Sequence, residues 1–157
     1  MVWNSCFDSP VGRLVLTEQD GFLVRVTFSS SEDPVSPAWE TVLLREARKQ
    51  LAEYFAGERK TFDLPFFFSG TDFQQKVWQA LSEIPYGKTV SYQELAEKIG
   101  NPLACRGVGM ACHRNPLPVF IPCHRVIGKD GRLTGYGGGL SVKEFLLCLE
   151  QGGTYHV

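Results

Sequence analysis

Up to Ser29 the apolar positions crowd into short β-rich runs. Gly12 to Glu18 and Phe22 to Phe28 are separated by the turn signal Gln19-Asp20-Gly21, a pattern that predicts a β-hairpin. Val2 to Phe7 has the composition of a third strand. Ser29 to Pro37 is polar and proline-rich and reads as a loop. A helix is expected from about Pro37, with Leu43, Ala47, Leu51, Tyr54 and Phe55 on one face and Gly57 as its terminator.

After the crossing from Gly57 to Gly70 the period changes from strand to helix. Thr71-Asp72-Phe73-Gln74 has the form of a capping box, opening a helix that turns Phe73, Val77, Trp78 and Leu81 inward and ends at Ile84-Pro85-Tyr86-Gly87. Ser91-Tyr92-Gln93-Glu94 is a second capping box, and its helix stops at Gly100. Asn101-Pro102 is placed as N-cap and first position of the next helix, running to His113 or Arg114. Two short helices around a glycine turn outline a helix-turn-helix. A last helix is expected behind Ser141-Val142-Lys143-Glu144. The predicted class is α+β: residues 1–70 a small antiparallel sheet with a helix, residues 71–157 a mainly helical domain containing the helix-turn-helix.

Composition narrows the class. The 157 residues are 43% hydrophobic and 21% charged, with a net charge of −1, the balance of a folded soluble chain and not of a broadly basic nucleic-acid coat. The charge is uneven: residues 1–70 carry seven Lys/Arg against ten Asp/Glu, residues 71–157 nine against seven, and Lys98 to Lys129 holds five cations and no carboxylate. Five cysteines, an odd number, and a start without a secretory pattern lead to the expectation of a reducing, cytoplasmic setting, nuclear in a eukaryote. No apolar run approaches the ~20 residues of a membrane helix, and no membrane partner is expected.

Within the carboxylate-free stretch, Arg106 is followed by Gly107 and Gly109. Glycine costs about 1 kcal/mol inside a helix, so something must come close to this face. Helix–helix packing and DNA are both open readings, and the cationic setting favours DNA. The most reactive-looking segment is Asn115-Pro116-Leu117-Pro118-Val119-Phe120-Ile121-Pro122-Cys123-His124-Arg125-Val126. A thiol is nucleophilic as thiolate, and a neighbouring His or Arg favours that form. Adjacent Cys and His side chains seldom meet along an extended backbone, so a turn or a bridging water is needed. Glu150 is the best carboxylate to orient the imidazole. By itself a Cys-His pair fits an inert core thiol beside a surface histidine equally well.

Pro122-Cys123-His124-Arg125-Val126, with Arg106-Gly107-Val108-Gly109 and Asn115-Pro116 before it and Gly135-Tyr136 and Glu150 after it, resembles the O6-alkylguanine-DNA alkyltransferases, densely over residues 71–152. The resemblance implies a DNA repair protein that flips O6-alkylguanine, with O4-alkylthymine as an alternative lesion, out of duplex DNA from the minor groove. It transfers the alkyl group irreversibly to its own cysteine, once, as a monomer and without cofactor. It implies Cys123 as acceptor, His124 as water-mediated base, Glu150 as its carboxylate, Tyr92 as donor to the leaving guanine, and Asn115 as hinge. Arg106 is implied to replace the flipped nucleotide; Tyr92, Gly107, Cys112 and Arg114 join it on the DNA side. Pro118, Val126, Tyr136 and Gly137 are implied to line the base pocket. Gly107 and Cys105 depart from the alanines common in that family.

Three further readings are weighed. A metal site from Cys105, Cys112, His113, Cys123 and His124 lacks the spacing of a tetrahedral set, and no metal is expected. A non-catalytic lesion-recognition module would not need Cys123. A Cys-His hydrolase would need oxyanion donors that no motif supplies. Cys148 is expected on the apolar face of the last helix with Phe145 and Leu149.

Overall fold

The computed structural model describes residues 1–30, 40–136 and 138–152. They form an α+β protein with two compact units, Met1–Phe68 and Ser69–Val157.

In the first unit, strands β1 (Val2–Ser9), β2 (Gly12–Gln19) and β3 (Phe22–Ser29) form one antiparallel sheet in the order β1-β2-β3. Asp20 and Gly21 both take positive φ, 53° and 84°, the twist that a two-residue hairpin connection requires. Alternation puts Leu14 and Leu16 of β2 in the core, and the register shift opposite Thr17 and Glu18 brings both Leu23 and Val26 of β3 to the same side, all four buried. Helix α1 (Val42–Phe55) contributes Leu44, Ala47, Leu51 and Tyr54 to that core. It starts later than the position of Pro37 predicts, because Thr41 is its N-cap: Thr41 Oγ1 accepts from Leu44 N at 3.0 Å and donates to the Glu18 carboxylate. The stretch 31–39 lies outside the described residues. Buried Gln50 stands in for backbone, accepting from Asp63 N at 2.9 Å and donating to Asp63 O at 3.2 Å. That holds the returning segment so that Phe66 bridges Leu23. Phe67 is 54% exposed and packs its ring on Phe22.

In the second unit, α2 (Asp72–Ser82) carries the capping box at Thr71 and Gln74 and buries Val77, Trp78, Ala80 and Leu81. Strand β4 (Val90–Ser91) leads into α3 (Tyr92–Lys98), whose capping box pairs Ser91 with Glu94. Helix α4 (Cys105–His113) follows the turn and packs on α2 and α3. Asn101 does not cap it. Its carbonyl accepts from Ala104 N at 3.0 Å in a turn, and the N-cap is Ala104, without a side-chain bond. Gly107 faces inward: a Cβ there would stand 3.1 Å from Phe73 Cζ. Gly107 is half-buried, and its small size lets α4 pack against Phe73 of α2. Strand β5 (Val126–Ile127) pairs in parallel with β4, Val90 opposite Val126. Helix α5 (Leu140–Glu150) starts from Gly139 with no side-chain cap, so Ser141 lies inside it and the expected capping box does not form. On α5, Leu146 and Leu147 are buried, whereas Phe145 is 38% exposed and Cys148 half-buried. The inward face therefore differs from the one predicted for Phe145, Cys148 and Leu149. No helix among the described residues is long and apolar enough to cross a membrane.

Trp78 ties α2 to α4, its Nε1 donating to the Ala111 carbonyl at 2.9 Å in the core. Trp78→Phe keeps an aromatic ring but removes that bond, leaving the Ala111 carbonyl with Arg114 N at 3.2 Å, and a loss of about 1 kcal/mol is expected, read as a lower urea midpoint at unchanged slope.

Candidate functional site

Two anchors deliver Cys123 to its position. The β4–β5 pair sets the residues after it beside the start of α3. Before it, Asn115 organises the loop: its Nδ2 donates to Ile121 O at 2.8 Å and its Oδ1 accepts from Leu117 N at 2.9 Å. Between those bonds Val119, 1% exposed, is held at φ 75°, a costly conformation for a β-branched residue that the surrounding bonds enforce. The chain then passes Pro122 into a single 3₁₀ turn, Cys123–Arg125. The turn that the sequence demanded is present, and it is what separates the directions of three consecutive side chains.

All three are buried. His124 and Arg125 both reach Glu150 at the end of α5. His124 Nε2 lies 2.6 Å from Glu150 Oε2. Arg125 Nε donates to Oε1 at 2.7 Å and Nη2 to Oε2 at 3.1 Å. The remaining Arg125 Nη1 donates to Ile84 O at 2.6 Å, and Gly87 N donates to Glu150 Oε1 at 3.3 Å. Burial alone would raise the Glu150 carboxyl; the hydrogen bonds and charges of His124 and Arg125 outweigh it and hold the group far below the usual carboxylate range. Glu150 is therefore ionised. Burial lowers His124 below its ordinary 6.5, helped by Arg125 and Lys143 and opposed by Glu150, so the imidazole is neutral near pH 7. A neutral ring facing a carboxylate at Nε2 must carry its hydrogen there. Nδ1 is then the basic nitrogen, and it has no hydrogen-bond partner among the described residues.

Cys123 is 7% exposed. Burial pushes its thiol above the ordinary value, against smaller downward pulls from an Asn115 hydrogen bond and the charge of Lys143. The resting group is the thiol. The expectation that flanking His124 and Arg125 hold a thiolate fails because His124 is neutral and Arg125 is committed to Glu150. The cation that acts on the sulfur is Lys143, fully buried, with Nζ donating to Thr134 O at 2.8 Å. Sequence reasoning missed Lys143, although its spacing from Leu146, Leu147 and Glu150 marks it as a member of the buried face of α5.

Above this core is an open cleft lined by Tyr92, Cys105, Arg106, Gly109, His113, Thr134 and Gly135. Tyr92 is half-buried, its hydroxyl accepting from Thr134 Oγ1 at 2.9 Å, and burial raises its phenol. Arg106 and Arg114 are exposed on and just after α4. Two predicted residues are placed otherwise. Cys112 is buried, its thiol pushed up to about 12 by burial, and does not reach the surface expected to meet DNA. Val126 is fully buried beside β4 and does not face the cleft. Pro118 is half-buried in the loop that bridges to Ile121. Tyr136 is buried close enough to Cys123 for a thiolate there to raise its phenol, and Gly137 lies outside the described residues. No group of three or more His, Cys, Asp or Glu among the described residues is arranged to hold a metal.

Residues 72–152 match the family described as "6-O-methylguanine DNA methyltransferase, DNA binding domain", and residues 2–68 the accompanying "ribonuclease-like domain". The chain is 50% identical over 162 residues to the constitutive methylated-DNA–protein-cysteine methyltransferase of Bacillus subtilis, covering 96% of each. It is 48% identical over 153 residues to that of Methanosarcina acetivorans, covering 95% of this chain and 98% of the relative. The crystal structure of the Mycobacterium tuberculosis protein in complex with DNA aligns with a TM-score of 0.86 at 44% identity, over 95% of this chain and 92% of the other.

The buried pair gives stability a defined pH dependence. Native His124 titrates below its ordinary 6.5 and Glu150 below its ordinary 4.5, so in both cases the unfolded chain binds protons first. Both contributions are complete above pH 6.5. The His124 part is lost as pH falls below 6.5 and the Glu150 part below 4.5. Unfolding free energy measured from pH 8 to 4 is expected to decline in that order, with the first decline absent in His124→Gln.

Proposed function

Because this chain belongs to the 6-O-methylguanine DNA methyltransferase family through both of its units, we propose Cys123 as the residue that accepts the alkyl group. The protein is a DNA repair methyltransferase that moves an alkyl group from damaged DNA to a cysteine of its own. The substrate is O6-alkylguanine in duplex DNA, with O4-alkylthymine as an alternative. A monomer engages it from the minor groove, in a reducing compartment where free thiols persist.

One observation carries the assignment to Cys123. The thiol sits at the head of a turn whose next residue is a neutral histidine, fixed by Glu150 with its Nδ1 free to take a proton. His124 Nδ1 takes the Cys123 proton through a bridging water. The sulfur attacks the alkyl carbon in line with its bond to O6. The carbon–oxygen bond breaks, the carbon–sulfur bond forms, and Tyr92 gives its hydroxyl proton to the departing guanine. The imidazolium formed in the core is stabilised by ionised Glu150. Because the thiolate arises during reaction, a buried sulfur stays unreactive towards other electrophiles until a base is seated. The thioether does not hydrolyse, so each molecule reacts once.

Flipping costs a few kcal/mol of unstacking, least for a poorly paired base. Exposed Arg106 at the cleft fills the vacated stack and offsets part of that cost. Arg114, exposed at the C-cap of α4, takes a phosphate. Asn115 is the hinge that joins α4 to the active-site loop.

After incubation with O6-methylguanine duplex, peptide mass mapping is expected to find a single methyl group, on the Cys123 peptide, and no second turnover. Cys123→Ala binds the duplex and transfers nothing; methylation of any other cysteine would refute the assignment. Arg106→Ala is expected to slow transfer from duplex about tenfold for each ~1.4 kcal/mol of flipping energy lost, while reaction with free O6-benzylguanine base stays near the native rate.

A further inference from the structure

Thr134, exposed on the wall of the cleft, holds two neighbours at once. Its Oγ1 donates to Tyr92 Oη at 2.9 Å, and its carbonyl accepts from Lys143 Nζ at 2.8 Å. Lys143 is 0% exposed and its ammonium lies 5.8 Å from the centroid of the Tyr92 ring. A buried ammonium cannot give up a hydrogen bond without a large desolvation cost, so the Thr134 backbone is fixed from below by a partner that stays. Its side chain is thereby aimed across the cleft at the first residue of α3.

We propose that Thr134 is a positioning residue for alkyl transfer, acting through Tyr92. A phenol has one hydrogen and an oxygen that also accepts. With Thr134 as donor to that oxygen, the Tyr92 hydrogen is left for the leaving guanine. An oxygen that accepts one hydrogen bond becomes a stronger donor of its own hydrogen, because the two bonds polarise each other. The Lys143 ammonium near the ring acts in the same sense. Burial works against it by holding the phenol above its ordinary value, while the Thr134 bond draws it down. Thr134 keeps its own hydrogen throughout. The proton that neutralises the guanine leaves Tyr92, and the proton that His124 takes from Cys123 makes it good through solvent.

The inference rests on the reading of Tyr92 as proton donor, and a double-mutant cycle separates the two. Single-turnover transfer from O6-methylguanine duplex is measured at saturating protein for the full chain, Thr134→Val, Thr134→Ser, Tyr92→Phe and Thr134→Val/Tyr92→Phe. Duplex affinity is measured in parallel. Thr134→Val preserves shape and removes the hydroxyl. Its saturated rate is expected to fall about five- to tenfold, the effect of one neutral hydrogen bond, with affinity unchanged. Thr134→Ser is expected to react at close to the native rate. In the Tyr92→Phe background, Thr134→Val is expected to cost nothing more. A native or faster rate for Thr134→Val, or losses that multiply in the double variant, overturns the role of Thr134 while a slow Tyr92→Phe leaves Tyr92 standing. A native rate for Tyr92→Phe overturns the donor reading itself, and the inference with it.

Discussion

The second unit is organised around one buried carboxylate. Glu150 receives hydrogen bonds from the imidazole of His124, two nitrogens of Arg125 and the backbone of Gly87. Through them, the end of α5, the 3₁₀ turn and the loop after α2 are fixed to one point. Arg125 extends the contact to Ile84 O, and its guanidinium lies 5.7 Å from the Tyr86 ring. A buried ion pair seldom stabilises more than a well-packed apolar replacement would, because desolvation cancels most of its Coulomb energy. What it supplies here is direction. A carboxylate without Arg125 would be drawn toward protonation by burial, and a protonated Glu150 would no longer fix the tautomer of His124. Arg125 thus sets the chemistry of a residue it precedes in no catalytic step.

Burial then decides the state of the sulfur. A cysteine kept as thiolate by adjacent cations would react with any electrophile that reached it. In this chain His124 is neutral, Arg125 is committed to Glu150, and the more distant Lys143 opposes burial without overcoming it. The nucleophile exists as thiolate when a base, a proton acceptor and an alkyl carbon are present together. For a protein that reacts once, a resting thiol protects the whole molecule from waste, and the cost is a slower intrinsic attack that the seated substrate must offset.

Local rules carried much of the fold. Asp20-Gly21, Thr71 with Gln74 and Ser91 with Glu94 each encode a backbone geometry within four residues, and each forms as read. The failures share a cause. Asn101-Pro102 and Ser141 to Glu144 have helix-start chemistry, yet the helices begin at Cys105 and Leu140, where tertiary packing outweighs a cap of about 1 kcal/mol. Gly107 had two readings, and the sequence could not show Phe73 standing opposite it. The site was legible in its sequence-adjacent parts and in Glu150. It was obscure where its members come from separate elements: Lys143 on α5, Thr134 in the loop before it, and Ile84 offering a backbone carbonyl. A lysine at a helical core position was visible as an anomaly, but its partner is a carbonyl, and carbonyls leave no mark in a sequence.

Charge shows the same dependence on three dimensions. The carboxylate-free window from Lys98 to Lys129 counts five cations, but they are not equivalent. Arg125 is buried and committed to Glu150, which lies outside the window. Lys98 stands 4.0 Å from Glu83. Arg106, Arg114 and Lys129 are the exposed remainder. Each phosphate contact made with Lys or Arg adds to affinity for every DNA sequence alike, so a few of them hold a duplex without arresting the protein on undamaged DNA. Discrimination then falls to the step in which a base leaves the stack, the step for which Arg106 and the Tyr92 cleft are proposed. A net charge of −1 is compatible with DNA repair because the interaction that selects the lesion is local and largely short-ranged, and the long-range field has only to bring the cleft to the groove.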